Sequence, residues 1–408
     1  MEKRIMKVAY KMPPQENWNA FRDEKQTNEN HITEKDYQAI IDAGFTHGMG
    51  LLEHGAEIAE RALQVAEKVG LKYYVRDAVN WANILHPDYY YYNRDNYEKY
   101  AKYSSFAGLY VYDEPNANKY PDLAKMVQGY YDFFKGIGEP LVNLLPTYAN
   151  EVEQLGAKNY EEYIEKYIQT VPTNYVLYDH YPFRVKNKVE EYLSEEYLYN
   201  CDVVAKACKK GGKQLRTFIQ SAVMDNGEIE LLPEIIDFQI HTHLAYGSRA
   251  IIYYYYWGDE NRVDNKSGLV NWDGEPTELY YRAKKVHAEI SEYEDKLCES
   301  KWQKTLYFKG QNKHLNEKEF SHFEIDNSNK FVFSYDGIVG LFDYKGKEAY
   351  YLVNYTNPRL GLENEVELNL DGDYYVWVGG QKAELKKGVN KITIPCGRGA
   401  FLLPIMKN

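Results

Sequence analysis

Over the first three hundred residues, short apolar runs alternate with longer amphipathic stretches. The runs are IMKVAY (from 5), THGMGLL (46), LKYYVR (71), GLYVY (108), PLVNLL (140), YVLYD (175), QLRTFI (214) and AIIYYYYW (250). Their aliphatic and aromatic makeup predicts strands, and the amphipathic stretches between them predict helices, so the pattern is that of repeated βα units around a parallel sheet. Successive starts fall roughly 25 to 40 residues apart, about what a strand, a helix and two loops require. Eight such units in one stretch of this length predict a (β/α)8 barrel. The helices carry matching boundary signals. TEKDYQAIIDAGF opens on Thr33 with Asp36 three residues on and stops at Gly44; AEIAERALQVAEKVG stops at Gly70; YPDLAKMVQGYYDFFKGIG has a proline in its first turn.

TELYYRAKKVHAEISEYEDKL predicts the final barrel helix. After it, at about residue 301, the texture changes to short alternating runs such as KFVFSYD, EAYYLVNYT, NEVELNL, DYYVWVGG, KITIP and AFLLPI, broken by Gly, Asn and Asp. This predicts an all-β sandwich over 301–408 following a barrel over 1–300. No low-complexity linker separates them, so the sandwich is expected to pack on the barrel.

Composition narrows the partners. The chain of 408 residues has a formal net charge of −12, which disfavours nucleic acid or an anionic membrane surface, since both are bound through a basic field. The 42 tyrosines provide flat rings with a polar tip, suited to interfaces or to carbohydrate stacking. Cys201, Cys208, Cys298 and Cys396 show no CxxC spacing, which predicts neither a zinc site nor a disulfide framework and fits a reducing, cytoplasmic compartment. A leader removed beforehand would leave the same appearance. His241 and His243 are two apart on a predicted helix and so share no face, and no metal or cofactor is expected.

In such a barrel the functional groups stand at the C-terminal ends of the strands. Taken in order these are Glu53 and His54; Arg76, Asp77 and Trp81; Asp113 and Glu114; Asn143, Thr147 and Tyr148; Asp179, His180 and Tyr181; Gln220; and Trp257 followed by Asp259 and Glu260. Carboxylates, amides and aromatics together suit the hydroxyls and apolar faces of sugars. Glu114 is the leading candidate for a general acid. Two adjacent carboxylates cannot both ionise cheaply in a partly buried cleft, so one holds a proton near neutrality. Asp-Glu-Pro is also ordinary turn chemistry, and its position at the fourth strand end of eight is what favours the catalytic reading.

The stretch around Asp113 and Glu114 resembles the Asn-Glu-Pro motif of the retaining glycosidase clan of (β/α)8 barrels. Residues 238–257 and 268–290 are similar to the passages that flank the last strand in β-galactosidase-like members. The resemblance implies a glycoside hydrolase with Glu114 as acid/base, and it implies a glutamate nucleophile after the seventh strand, where this chain has Gln220. An amide cannot form a glycosyl-enzyme bond. The Asp-Glu pair is also similar to that of hexosaminidases that use the substrate's acetamido group as nucleophile. That likeness implies Asp113 orienting the amide, with Tyr178 or Tyr181 and Trp257 completing the pocket. The alternatives are a galactosidase- or glucosidase-type enzyme recruiting Asp179 or Glu53 as second carboxylate, and a barrel that binds carbohydrate without cleaving it. Gln220, Asn143, Tyr148, Arg76, Glu53 and Trp81 are further candidate sugar contacts.

Overall fold

The computed structural model describes residues 3–17, 29–51, 55–76, 88–187, 190–223, 231–258 and 268–406. The eight expected strands are present. They are β1 (Met6–Tyr10), β2 (His47–Met49), β3 (Lys72–Val75), β4 (Phe106–Asp113), β5 (Glu139–Leu144) and β6 (Tyr175–Asp179); then, after a hairpin of β7 (Phe183–Lys186) and β8 (Glu190–Leu193), β9 (Gln214–Gln220) and β10 (Ala250–Tyr254). Without the hairpin they close into a parallel barrel, in which β1 pairs with both β2 and β10.

Helices link each strand to the next: α1 (Glu34–Asp42), α2 (Ala56–Val69), α3 (Tyr89–Tyr92), α4 (Arg94–Tyr100), α5 (Tyr120–Phe134), α6 (Tyr160–Thr170), α7 (Tyr197–Gly211), α8 (Glu234–Ala245) and α9 (Glu278–Ser291). Their ends follow the sequence signals. Thr33 accepts from the Asp36 N–H at 3.1 Å, and Gly44 and Gly70 adopt φ of 82° and 77°, where a side chain would be strained. The stretch expected as one final helix is broken, with α10 (Glu294–Glu299) separate from α9. Tyr293 leaves the helical path between them, stacks on Phe401 at 5.3 Å and joins its hydroxyl to that of Tyr351 at 2.8 Å.

Inside the barrel, Met6, Val8, Met49, Leu141, Leu177, Phe218 and Ile252 form a filled core, as expected of a barrel of eight strands. The end where the strands begin is closed by Arg216, which pairs with Glu139 at 2.5 Å and lies 4.1 Å over the Tyr175 ring. Glu139 also accepts from the Tyr74 hydroxyl at 2.6 Å, so the buried ions have the extra partners that make their desolvation tolerable.

The remaining strands are β11 (Lys301–Phe308), β12 (Phe331–Phe333), β13 (Gly337–Tyr344), β14 (Lys347–Asn354), β15 (Asn364–Leu370), β16 (Tyr374–Val378), β17 (Gln381–Leu385), β18 (Gly388–Ile394) and β19 (Gly399–Pro404), with a short helix α11 (Glu317–Phe320). They form a six-stranded sheet, β11-β13-β14-β19-β16-β17, and a three-stranded sheet, β12-β15-β18. Phe331, Phe333, Val366, Leu368 and Ile394 of the smaller sheet share a core with Val339, Leu352 and Leu402 of the larger, which is a β-sandwich.

The sandwich packs on α7 and α8. Tyr351 meets His241 Nδ1 at 2.7 Å, Arg398 Nε donates to Asp237 at 2.9 Å, and a side chain at Gly340 would meet the Ala245 carbonyl at 2.1 Å. No helix among the described residues is long and apolar enough to cross a membrane.

Candidate active site

Successive residues of a strand normally point to opposite faces, yet Tyr110 and Asp113, three apart on β4, meet inside the barrel. The pairing of β4 with β5 shifts register between Tyr110 and Tyr112. Val111 and Tyr112 both belong to the outer layer, whereas Tyr110 lies in the inner core. This bulge turns the strand end so that the Tyr110 hydroxyl donates to Asp113 Oδ1 at 2.5 Å, a known use of bulges beside active sites. The next residue, Glu114, has φ 52°, a left-handed conformation that a non-glycine residue holds only when its surroundings impose it. Here its N–H is tied to the Asn143 carbonyl at 2.9 Å, and the Pro115 carbonyl accepts from the Tyr163 hydroxyl at 2.8 Å.

Asn143, from β5, is the bridge of the site. Its Nδ2 donates to Asp179 Oδ1 at 2.7 Å and to Asp113 Oδ1 at 3.2 Å. Both oxygens contact one nitrogen, so they lie no farther apart than those two bonds end to end. Asn143 itself is 4% exposed, and its Oδ1 has no partner among the described residues.

On the other side of Asp113, Arg76 Nη2 stands 3.8 Å from Oδ2. Its guanidinium lies 4.5 Å over the Tyr110 ring and donates to the Tyr10 hydroxyl at 2.9 Å. Asp113 therefore faces donors on one side while 42% of its side chain stays open. The neighbouring carboxyls are forced toward neutrality. Burial, and then the charge of Asp113, push Glu114 up to about 7. Asp179, 2% exposed, is raised well above the usual carboxylate range by burial and then by the Glu114 charge, against the lowering bond from Asn143.

Aromatic rings border this cluster. Tyr181 packs against Tyr254 at 4.9 Å, and Tyr148, 47% exposed, rests on His180 at 5.0 Å with Arg184 5.1 Å over its ring. Of the residues expected from the sequence, Asp113, Glu114, Asn143, Asp179 and Arg76 come together, with Tyr148 and Tyr181 alongside.

Three expectations are corrected. Tyr178 faces outward, its hydroxyl 3.3 Å from Cys201 under α7, because it is one residue out of phase with Asp179 on β6. Gln220 is fully buried, accepting from the Phe183 N–H at 2.9 Å and donating to the Phe183 and Ala222 carbonyls at 2.8 and 3.2 Å; it clasps the start of the β7–β8 hairpin instead of facing a sugar. Trp257 is buried against His31 at 4.7 Å in a small cavity with Met12, Ile32 and Trp272, so it offers no open platform. Glu53, Trp81, His54, Asp77, Asp259 and Glu260 lie outside the described residues. The sequence reading passed over Tyr10, Tyr110, Tyr254 and Arg184. Tyr110 had a signal, a tyrosine just upstream of the acidic pair, but its facing depends on the bulge.

No protein-family model matches the chain, and no curated protein matches it by sequence. Among solved structures it is similar to an Anoxybacillus alpha-amylase, at 11% identity and TM-score 0.52, covering 100% of this chain and 99% of that one. A beta-galactosidase from the psychrophilic Marinomonas ef1 matches at 10% identity and TM-score 0.49, over 70% of this chain and 60% of its own. A family 1 beta-glucosidase from Thermotoga maritima matches at 10% identity and TM-score 0.47, over 70% of this chain and 98% of its own. At 11% identity the likeness to the alpha-amylase speaks for the fold alone, and the chemistry must be argued from the site.

Proposed function

We propose that the protein is a glycoside hydrolase whose barrel, residues 1–300, cleaves a sugar linkage with Glu114 as general acid/base, while the sandwich, residues 301–408, covers the barrel's flank. The observation that carries this reading is the placement of Glu114 at the end of the fourth barrel strand, in a left-handed turn tied to Asn143 and next to the anchored Asp113, where burial and the Asp113 charge push its carboxyl up to about 7. An acid half-protonated near neutrality can give its proton to a leaving oxygen and take one back from water. A solved structure of this fold that bears the name of an alpha-amylase agrees with a carbohydrate substrate, although the fold also serves other chemistry.

Asp113, anchored by Tyr110, Asn143 and Arg76 and open on its outer edge, suits an oxygen that receives the N–H of a substrate acetamido group and turns its carbonyl toward the anomeric carbon. Substrate-assisted cleavage of a 2-acetamido sugar then needs no glutamate in place of Gln220. Asp179 favours a supporting role over that of nucleophile, since a buried carboxyl held protonated is a poor one. The exposed ring of Tyr148 supplies a stacking surface for a sugar ring face. Four free cysteines, three of them buried, support a cytoplasmic setting.

The test is a panel of nitrophenyl glycosides and unactivated alkyl glycosides, with and without the 2-acetamido group, run on the wild type and Glu114→Gln. The wild type should turn over the acetamido substrates, and Glu114→Gln should lose about 10²- to 10⁴-fold on poor leaving groups. Cleavage of plain hexosides alone would remove the substrate-assisted reading. Equal rates in the two proteins would remove Glu114 from the mechanism, and binding without turnover would point to a silent barrel.

A further inference from the structure

Outside the carboxyl cluster, Ser194, His180 and Asn200 form a hydrogen-bonded chain that the glycosidase reading does not use. Ser194 Oγ is 3.0 Å from His180 Nε2, and His180 Nδ1 is 2.8 Å from Asn200 Oδ1. The asparagine's orientation is set by two further bonds: Oδ1 accepts from the Thr147 N–H at 3.0 Å, and Nδ2 donates to the Tyr160 hydroxyl at 2.9 Å. With Oδ1 facing the imidazole, Nδ1 must carry the ring hydrogen. Nε2 is then left with its lone pair toward the serine hydroxyl, the tautomer a general base needs. Burial lowers His180 to about 4 against the raising bond from Asn200, which leaves the ring neutral at physiological pH.

The serine is placed where a ligand can reach it. Ser194 is only half-buried and ends the hairpin, its N–H bonded to the Pro182 carbonyl at 2.8 Å. It lines a cleft of about 550 Å³ between that hairpin and the sandwich, whose other walls include Leu193, Lys313, Leu315, Lys318 and Leu360. Lysines there are offset by Glu195 and Glu317 in the same walls, and Glu319, also in the lining, is buried with its carboxyl pushed up to about 8, a balance that favours an uncharged ligand over an ion.

We propose that Ser194 is a nucleophile activated by His180 and Asn200, and that the cleft takes a neutral carboxylic ester. Ser194 Oγ attacks the ester carbonyl carbon while its proton passes to His180 Nε2. The bond from that carbon to the alkoxy oxygen breaks, and the alcohol leaves with the proton. Water, giving a proton to the same nitrogen, then attacks the acyl-serine, releasing the carboxylic acid and returning the proton to Oγ. An asparagine orients the imidazole without supplying charge to the imidazolium, so turnover is expected to be slow and covalent trapping the sensitive readout.

The full-length chain is treated with a fluorophosphonate, and the adduct is mapped by mass spectrometry in the native state and after unfolding in urea. Ser194 should be modified at least about tenfold faster in the folded chain. No adduct at Ser194, or equal rates in the two states, would overturn the proposal. In a second arm, 4-nitrophenyl acetate should give a nitrophenolate burst in the wild type that is absent from Ser194→Ala. A burst of the same size in both would overturn the assignment.

Discussion

Asp113 and Asp179 are each held in place by a specific neighbour. The Tyr110 hydroxyl is the closest donor to Asp113, and Tyr110→Phe would free that carboxylate to rotate while leaving the ring packed. The expected result is a fall in kcat/KM of roughly ten- to a hundredfold, since small misplacements of a reacting group are costly. Only about 1 kcal/mol of stability should be lost, as for a single hydrogen bond, and paired kinetic and urea-unfolding measurements check both. A large stability loss with unchanged kinetics would make Tyr110 a packing residue alone.

Asp179 gives a pH prediction. Its carboxyl is raised, so the folded chain binds that proton more tightly than the unfolded chain does, and stability falls as pH rises from the ordinary carboxylate value through the folded one. Asp179→Asn cannot ionise and should remove that slope, melting with the wild type near pH 4 and above it near pH 8. For Glu114 the same direction of shift means that the acid form, and with it turnover, declines above about 7.

At the scale of elements, what the chain's local pattern could express was strand and helix identity; what it could not express was which way a strand end faces. The apolar runs locate all eight barrel strands, and Thr33, Gly44 and Gly70 mark helix boundaries, because these depend on neighbours a few residues away. The bulge in β4 exists only against β5, so its effect on Tyr110 and Asp113 was not visible in the sequence. Gln220 carries the same lesson. A strand end with an amide reads as a sugar contact, yet the hairpin that follows β6 folds back and takes two of its side-chain bonds, and the Ala222 carbonyl takes the third. Gln220→Leu should therefore cost stability rather than binding, about 2 to 4 kcal/mol, by leaving the buried Phe183 N–H and two carbonyls unpaired. Thermal unfolding measures it, and a change within about 0.5 kcal/mol would show that the clasp is dispensable.

Over the whole molecule, barrel and sandwich are joined by buried ions as well as by apolar packing. Asp237 on α8 is held by Arg398 at 2.9 Å and by Arg282 of α9 at 2.6 Å, and Arg398 reaches Glu289 at 2.7 Å. Asp237→Ala would leave two arginines facing one another in a largely buried space, with an expected loss of about 3 to 5 kcal/mol. A second, earlier transition in calorimetry would show the sandwich leaving the barrel first. Tyr293, which breaks the last helix to stack on Phe401, belongs to the same interface and explains why one predicted helix became two.

By itself, the sequence determined the eight βα repeats, the change to a sandwich and the place of Glu114 at the fourth strand end. Periodicity, capping and turn chemistry are local, and eight of them in series leave few closed arrangements. Only the tertiary structure decided the partners: Asn143 between Asp113 and Asp179, Arg76 behind Asp113, Gln220 spent on a hairpin, and Ser194 brought to His180 and Asn200. Those contacts join residues far apart in the chain, and their facing is set by a bulge, a hairpin and strand register, none of which leaves a periodic trace.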